Sequence, residues 1–482
     1  MRVDLSLVKF MSESPFSSDF RALLAKHGIT HPKFAYGAGT FDPAKPKVLY
    51  AGPMYGEDEL VAATAALVEG KWSVAGEYVH RFEAEFSKYL GQAWSVMVNS
   101  GSSADLLMIA AAKARFGWKD GDGIIVSPVG FPTTISAITL NGLTPVFADI
   151  EWDTLNADND IIEKLLQAHA VPEGEGDFNW DETELYCWPN VRAILVSPVL
   201  GNPPDMDRLV ALAEKHNVKI LLDGCDSLGS LWKGNHLASY ATATTTSFFP
   251  SHHISTLQGG MITSNDTELV RIARQMATWG RACFCTGSAN LLPNGVCGCR
   301  FKAWLPKEPD LIVDHKYVFE TQGYNLQPLD LQGALGLEQM KKLDGIHEAR
   351  RKAYVRIKVG ALFALKQLHT AHGLFDSSPS WFGVPFICPT QAYKTALVAH
   401  LEKAGIQTRN YFAGNILLHP GYQHLGDSAD FPNANDVLKK VFFLGCAPFY
   451  TEQHFAHIDA TFRAFIPPVS PPVVYYGAQE DP

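Results

Sequence analysis

Four short runs of apolar residues constrain this chain more than any other feature. They are Gly123-Ile124-Ile125-Val126-Ser127-Pro128, Thr144-Pro145-Val146-Phe147-Ala148-Asp149, Ala193-Ile194-Leu195-Val196-Ser197 and Lys219-Ile220-Leu221-Leu222-Asp223. None alternates apolar with polar residues, so none suits a sheet with one wet face. Each reads as a strand buried on both sides. Between them lie stretches with helical spacing, such as Met206 to His216, which complete βαβ units. The expectation is an α/β protein whose large domain holds a mostly parallel central sheet covered by helices. Its ligand should sit beyond the carboxyl ends of the strands.

The rest of the chain fits around that domain. Residues 1–55 read as an N-terminal helix and an arm rich in Pro and Gly, and residues 56–330 as the large domain, mostly helical up to about residue 115. Residues 331–482 read as a smaller C-terminal α/β domain, helical at first and strand-like near Gly383-Val384-Pro385-Phe386-Ile387. Residues 166–190 are polar and acidic, the pattern of a surface insertion, and the last dozen residues read as a loosely held tail. With 46% hydrophobic residues in 482, the chain can bury a large core. The formal net charge is -10 and no basic run stands out, which argues against nucleic acid or an anionic membrane surface as the main partner. No apolar stretch suits a signal peptide or a membrane span, so a cytoplasmic location is expected. In that setting the 8 cysteines are not expected to form disulfides. Cys283, Cys285, Cys297 and Cys299 cluster, which points to metal or redox chemistry. Cys187, Cys388 and Cys446 are most simply structural.

Three segments could hold a phosphorylated ring. Asn99-Ser100-Gly101-Ser102-Ser103 joins an apolar lead-in to a helix start, where free N–H groups and hydroxyls can bind phosphate. By itself it is more often an ordinary helix cap. Asp223 ends a buried strand, where a carboxylate can pair with a protonated pyridine nitrogen; alone it is more often a helix-capping or turn residue. Ser247-Phe248-Phe249-Pro250-Ser251-His252-His253 follows another strand-like run and leads into Gly259-Gly260. Its two histidines read as a surface pair or a metal site.

Taken in order along one chain, these segments resemble the DegT/StrS-type sugar-modifying aminotransferase family of pyridoxal-phosphate enzymes, which have fold type I. The resemblance runs from about Tyr50 to Met340. It includes Tyr50-Ala51-Gly52-Pro53, Gly130-Phe131-Pro132-Thr133-Thr134 and Asp314-His315-Lys316-Tyr317. It implies that Asp223 faces the pyridine nitrogen, that Phe131 stacks on the ring, and that Gly101, Ser102 and Ser247 lie at the phosphate. It implies that Asn325, in Gly323-Tyr324-Asn325-Leu326, reaches the phosphate of a partner subunit in a homodimer. Asp226 stands where the family usually has Gln beside the ring's phenolic oxygen, a departure.

A second departure bears on the chemistry. Most of the family carry Lys at the fifth position after that Ser, forming a covalent link to the cofactor; here the residue is His252. Imidazole cannot form that link but can still move a proton near neutral pH. The cofactor is then expected to rest as free pyridoxamine 5'-phosphate (PMP). This segment resembles that of the hexulose 3-dehydrases. One subclass of these carries no metal and takes its amine from glutamate. The other also holds a [2Fe–2S] cluster on four thiolates, with a Cys two residues after the pyridine Asp and the same 57-residue gap to a Cys-x-Cys pair that separates Cys225 from Cys283 here. Cys225, Cys283 and Cys285 match. The fourth ligand is Cys297 or Cys299, after a gap longer than in the family. A zinc site or a group of buried thiols is the plainer alternative.

The resemblance thus implies a PMP- and [2Fe–2S]-dependent enzyme that removes the C3 hydroxyl of a CDP- or dTDP-linked 4-keto-6-deoxyhexose. His252 would be the acid–base group, and an electron-donating reductase would be the partner. A sugar aminotransferase on the same scaffold is disfavoured by the missing Lys. A non-catalytic, cofactor-binding regulator is disfavoured by the retention of His252 and Asp223.

Overall fold

The structure, a computed structural model, describes residues 14–33, 41–168, 189–281 and 300–468. The acidic insertion falls almost wholly outside these residues. So do Cys187, Cys283, Cys285, Cys297, Cys299 and the C-terminal tail.

All four apolar runs are strands. The central sheet has seven: β1 (Trp94–Val98), β2 (Gly123–Val126), β3 (Thr144–Phe147), β4 (Val191–Val196), β5 (Lys219–Asp223), β6 (Ala243–Ser247) and β7 (Gly260–Ser264). Their order is β1-β7-β6-β5-β4-β2-β3. From β3 to β6 every pairing is parallel, whereas β7 runs antiparallel to both β6 and β1. The helices before and around the sheet are α1 (Pro15–Lys26), α2 (Glu57–Val68), α3 (Glu77–Tyr89), α4 (Gly101–Phe116), α5 (Pro132–Thr139), α6 (Asn159–Ala168), α7 (Met206–Lys215) and α8 (Thr267–Met276).

The reason for the unbroken apolar runs is visible in the packing. Ile124, Leu195 and Leu221 point to one face, where they join Leu107, Ile135 and Leu269 of α4, α5 and α8. Their neighbours Ile125, Ile194, Ile220 and Leu222 point to the other, against Ile162 of α6 and Leu209 and Leu212 of α7. Each such side chain contributes roughly 1.5–3 kcal/mol by leaving water, and neither face can spare its share. Strand β1 departs from expectation, since this region reads as mostly helical. Its five residues lie between two long helical patterns that dominate any window placed over them, and its pairing with β7, from Trp94↔Ser264 to Val98↔Gly260, is a contact distant in sequence.

After the sheet, α9 (Asp330–Ala364) runs unbroken for 35 residues. Its first carboxylate, Asp330 Oδ1, accepts the Val79 N–H at the start of α3. Near its far end Arg356 pairs with Asp459 of a later helix. Beyond it, β8 (Gly383–Ile387), β9 (Thr408–Asn410) and β10 (Val441–Gly445) form an antiparallel sheet in the order β8-β10-β9. Helices α10 (Gln391–Lys403), α11 (Pro432–Lys440) and α12 (Glu452–Ala464) accompany it. Among the described residues no helix is long and apolar enough to cross a membrane.

Candidate active site

The carboxyl ends of β1, β5 and β6 deliver three of the sequence-read segments to one edge of the sheet. At the end of β5, Asp223 is buried. Its Oδ2 accepts a 2.6 Å hydrogen bond from Thr134 Oγ1 and a longer one, 3.4 Å, from Ser197 Oγ, while its Oδ1 accepts the Cys225 N–H at 3.3 Å. A carboxylate held this way keeps a fixed direction and enough acceptor capacity for a protonated ring nitrogen. Behind it lies a second buried carboxyl, Asp105 of α4, which accepts from Thr245 Oγ1 at 2.6 Å. Burial, and then the charge of Asp223, push Asp105 well above the ordinary carboxylate range.

At the end of β1 the chain turns into α4. Ser100 caps the helix, its Oγ accepting the Ser103 N–H. Gly101 is required by close approach: a Cβ there would stand 2.5 Å from Ser247 Cβ and 3.1 Å from Cys225 Sγ. Helix start, Ser247 and Cys225 therefore meet at one point. Ser102 is exposed and its hydroxyl donates to Thr133 Oγ1, which ties this turn to the segment bearing Phe131. The Phe131 ring is 54% exposed and edge-on to Phe412. Asn325 is exposed and bridges Thr278, while the next carbonyl, Leu326 O, accepts the Asn99 N–H. The segment carrying Asn325 thus runs beside the turn.

The two histidines after β6 are not a surface pair. His253 is buried, its Nε2 2.9 Å from Ser380 O. The His252 side chain is 15% exposed, with Nδ1 3.5 Å from Asp226 Oδ1 and its ring 5.3 Å from that of Phe382. Burial, reinforced by the positive charge of Arg350 and partly offset by a hydrogen bond with the Cys225 backbone, lowers His252 to about 3. Imidazole is therefore neutral at physiological pH, the state a base requires. Asp226 moves the other way, up to about 7, through burial and then the charge of Asp223; a Leu200 N–H at 3.3 Å partly offsets this. Arg350 of α9 is fully buried and donates to three backbone carbonyls: Phe382, His252 and Ser251.

Cys225 is the one expected cluster ligand among the described residues. Its Sγ and one carboxylate oxygen from each of Asp105 and Asp223 lie within 4.8 Å of one another. Burial and those two charges push the thiol well above its usual range.

Asp223, Ser247, Gly101, Asp226, Cys225 and His252 are thus brought together, with Phe131 and Ser102 at the rim. Thr134, Asp105 and Arg350 belong to the same site and were not singled out by sequence. Thr134 lay inside a quoted motif and Asp105 two residues beyond one, where a side chain's direction is not readable. The arrangement fits a phosphorylated pyridine: a cradle that a Cβ would fill, a carboxylate aimed from a strand end, and two buried atoms, Asn99 Oδ1 and His252 Nδ1, with no hydrogen-bond partner among the described residues. For an iron–sulfur cluster the described residues supply one sulfur.

The sequence matches the DegT/DnrJ/EryC1/StrS aminotransferase family over residues 53–463. A dTDP-4-dehydro-2,6-dideoxy-D-glucose 3-dehydratase of Saccharopolyspora spinosa is 34% identical over 439 residues, covering 89% of this chain and 88% of that protein. A GDP-4-keto-6-deoxy-D-mannose 3-dehydratase of Yersinia pseudotuberculosis is 33% identical over 379 residues, covering 76% and 85%. Among solved structures, an E. coli GDP-4-keto-6-deoxy-D-mannose-3-dehydratase with bound hydrated PLP matches at 28% identity with a TM-score of 0.69, covering 90% of this chain and 99% of that one. The fold is that of the fold type I pyridoxal-phosphate enzymes, with a mixed α/β body and a mostly parallel central sheet.

Proposed function

The chain belongs to the DegT/DnrJ/EryC1/StrS aminotransferase family, and from that premise we propose that it dehydrates a nucleotide-linked 4-keto-6-deoxyhexose at C3, using PMP and a [2Fe–2S] cluster. The observation that carries this reading is the neutral, largely buried imidazole of His252 at the position where the resemblance implies a lysine. A residue that cannot tether the cofactor but can accept a proton suits elimination better than amine transfer.

In this reading Ser247, Ser102 and the amides at Gly101 hold the phosphate, and Asn325 reaches it across a homodimer interface. Phe131 covers the ring, and Asp223, steadied by Thr134, keeps its nitrogen protonated. When bound, the pyridine supplies an electron sink. His252 takes a proton from the cofactor's methylene carbon and returns one to the C3 oxygen as that hydroxyl leaves as water. Asp226 Oδ1 lies 3.5 Å from His252 Nδ1, beside the ring but not hydrogen-bonded to it. Phe382, its ring 5.3 Å from the imidazole, helps to keep water from it. Cys225, Cys283 and Cys285, with Cys297 or Cys299, would hold the cluster, which would supply single electrons drawn from a reductase. The substrate nucleotide is CDP or dTDP, and the 3,6-dideoxy-4-keto product suits a surface polysaccharide or a glycosylated small molecule.

A second reading is a cluster-free dehydratase that takes its amine from glutamate. It is favoured by a solved GDP-4-keto-6-deoxymannose-3-dehydratase, 28% identical to this chain, that holds a trapped PLP-glutamate geminal diamine. Anaerobic absorption and EPR spectra, with iron, sulfide and PMP assayed on one sample, separate the two. About two irons and two sulfides per chain are expected. Bound cofactor without iron, in protein kept strictly anaerobic, overturns the cluster and leaves the glutamate route.

A further inference from the structure

Tyr50, in a segment singled out by sequence, has no part in the chemistry above, and one cation lies against it. Arg409 is the central residue of β9 and stands directly opposite Phe443 of β10. Opposed residues of paired strands project from the same face of their sheet. On that face Phe443 packs 6.2 Å from Phe382, the ring that abuts His252. It also packs 5.9 Å from Phe412, the ring that meets Phe131. Arg409 therefore leaves the small sheet on the side that backs the reacting centre.

Its side chain is exposed, with the guanidinium carbon 4.1 Å from the centre of the Tyr50 ring. One nitrogen donates to the adjacent Thr408 carbonyl, and among the described residues Arg409 makes no ion pair. Tyr50 is itself fixed: its N–H donates to Gln407 Oε1, and its carbonyl lies so close to Gly445 that any Cβ there would collide with it. A guanidinium stacked on a fixed ring loses little freedom on binding and keeps its edge donors for a planar or multidentate anion. In a chain of net charge -10, a cation without a carboxylate partner is a selective place for phosphate oxygens.

We propose that Arg409, stacked on Tyr50, binds the diphosphate of the nucleotide-sugar substrate. The inference rests on the nucleotide-sugar reading above and gives it an anchor. With C4 at the cofactor and C3 at His252, the anomeric oxygen lies at the opposite end of the hexose ring. The diphosphate attached there extends away from the imidazole, toward the half-buried Tyr50 ring and the guanidinium on it, with the buried rings of Phe382 and Phe443 packed behind.

The test is calorimetric titration of CDP, dTDP and GDP into the full chain loaded with PMP. Arg409→Ala should weaken the preferred nucleotide by about ten- to a hundredfold, the range expected for one charge-assisted contact. Arg409→Lys keeps the charge without the fork and should recover only part of the loss. PMP affinity should be unchanged in both. In turnover, KM for the sugar nucleotide should rise while kcat holds, the mark of lost uniform binding. Nucleotide affinity unaltered in Arg409→Ala would overturn the assignment and leave the dehydratase reading standing. Loss of PMP binding in both variants would make Arg409 a structural residue and also overturn it. If the unaltered chain binds none of the three nucleotides, the nucleotide-sugar reading falls, and this one with it.

Discussion

Asp226 offers a prediction whose sign and size both follow from the structure. Its carboxyl is raised from 3.8 to about 7, first by burial and then by the charge of Asp223. The folded chain therefore retains a proton that the unfolded chain gives up between about pH 4 and pH 7. Wherever the folded state binds more protons, stability falls as pH rises. The contribution is fully present below the unfolded value and is lost as pH climbs through the folded one. A rise of about three units at 1.36 kcal/mol each makes the full loss roughly 4 kcal/mol, an upper bound for a side chain that retains some solvent contact. Asp226→Asn keeps the shape and removes the titration. Urea unfolding of the cofactor-free protein, for parent and variant at each pH from 5 to 8, reports chiefly on this group, because every other titrating side chain is retained in both. The variant should gain on the parent from pH 5 up to about pH 7 and then level off, by a few kcal/mol in all. Two stability curves that stay parallel from pH 5 to pH 8 would refute the reasoning and mean that Asp226 is ionised throughout.

Three further outcomes follow from the same site. His252→Lys, loaded with the aldehyde form of the cofactor (PLP), should tether it with loss of water, so that borohydride reduction leaves the cofactor's mass on the chain, and dehydration should fall by at least about a hundredfold, the scale of one acid–base group. Full dehydration without the tethered mass would sink the assignment. Gly101→Ala drives a methyl group to 2.5 Å from Ser247 Cβ; it should cost about 1–3 kcal/mol of overpacking and reduce PMP affinity, measured by fluorescence titration, while Gly91→Ala, in an open turn, should leave that affinity alone. Thr134→Val removes the 2.6 Å bond to Asp223 Oδ2 and should weaken PMP binding by about 1–3 kcal/mol. That loss should appear as a rise of about five- to 150-fold in the dissociation constant.

What sequence conveyed and what it withheld divide along a physical line. Apolar runs report burial, and burial on both faces leaves few folds open, so the parallel sheet could be read from Ile124, Ile194 and Leu221 with their neighbours. Asp223 and Ser247 were readable as well, because a residue that ends a buried strand has little choice of direction. Strand β1 was not, since its pairing with β7 depends on residues more than 160 positions away. Arg350 shows the limit most plainly. Glu348-Ala349-Arg350-Arg351-Lys352 has the charge pattern of a solvated helix face, yet Arg350 is among the most deeply buried large side chains described. Its guanidinium is accommodated only because three carbonyls, including that of His252, turn toward it. Those carbonyls offset part of the cost of desolvating such a charge, although its Nε has no partner among the described residues, and nothing local in the sequence announces them. The same buried cation helps to hold His252 neutral. The state of the imidazole on which the dehydratase reading rests is therefore set partly by a helix about a hundred residues further along the chain.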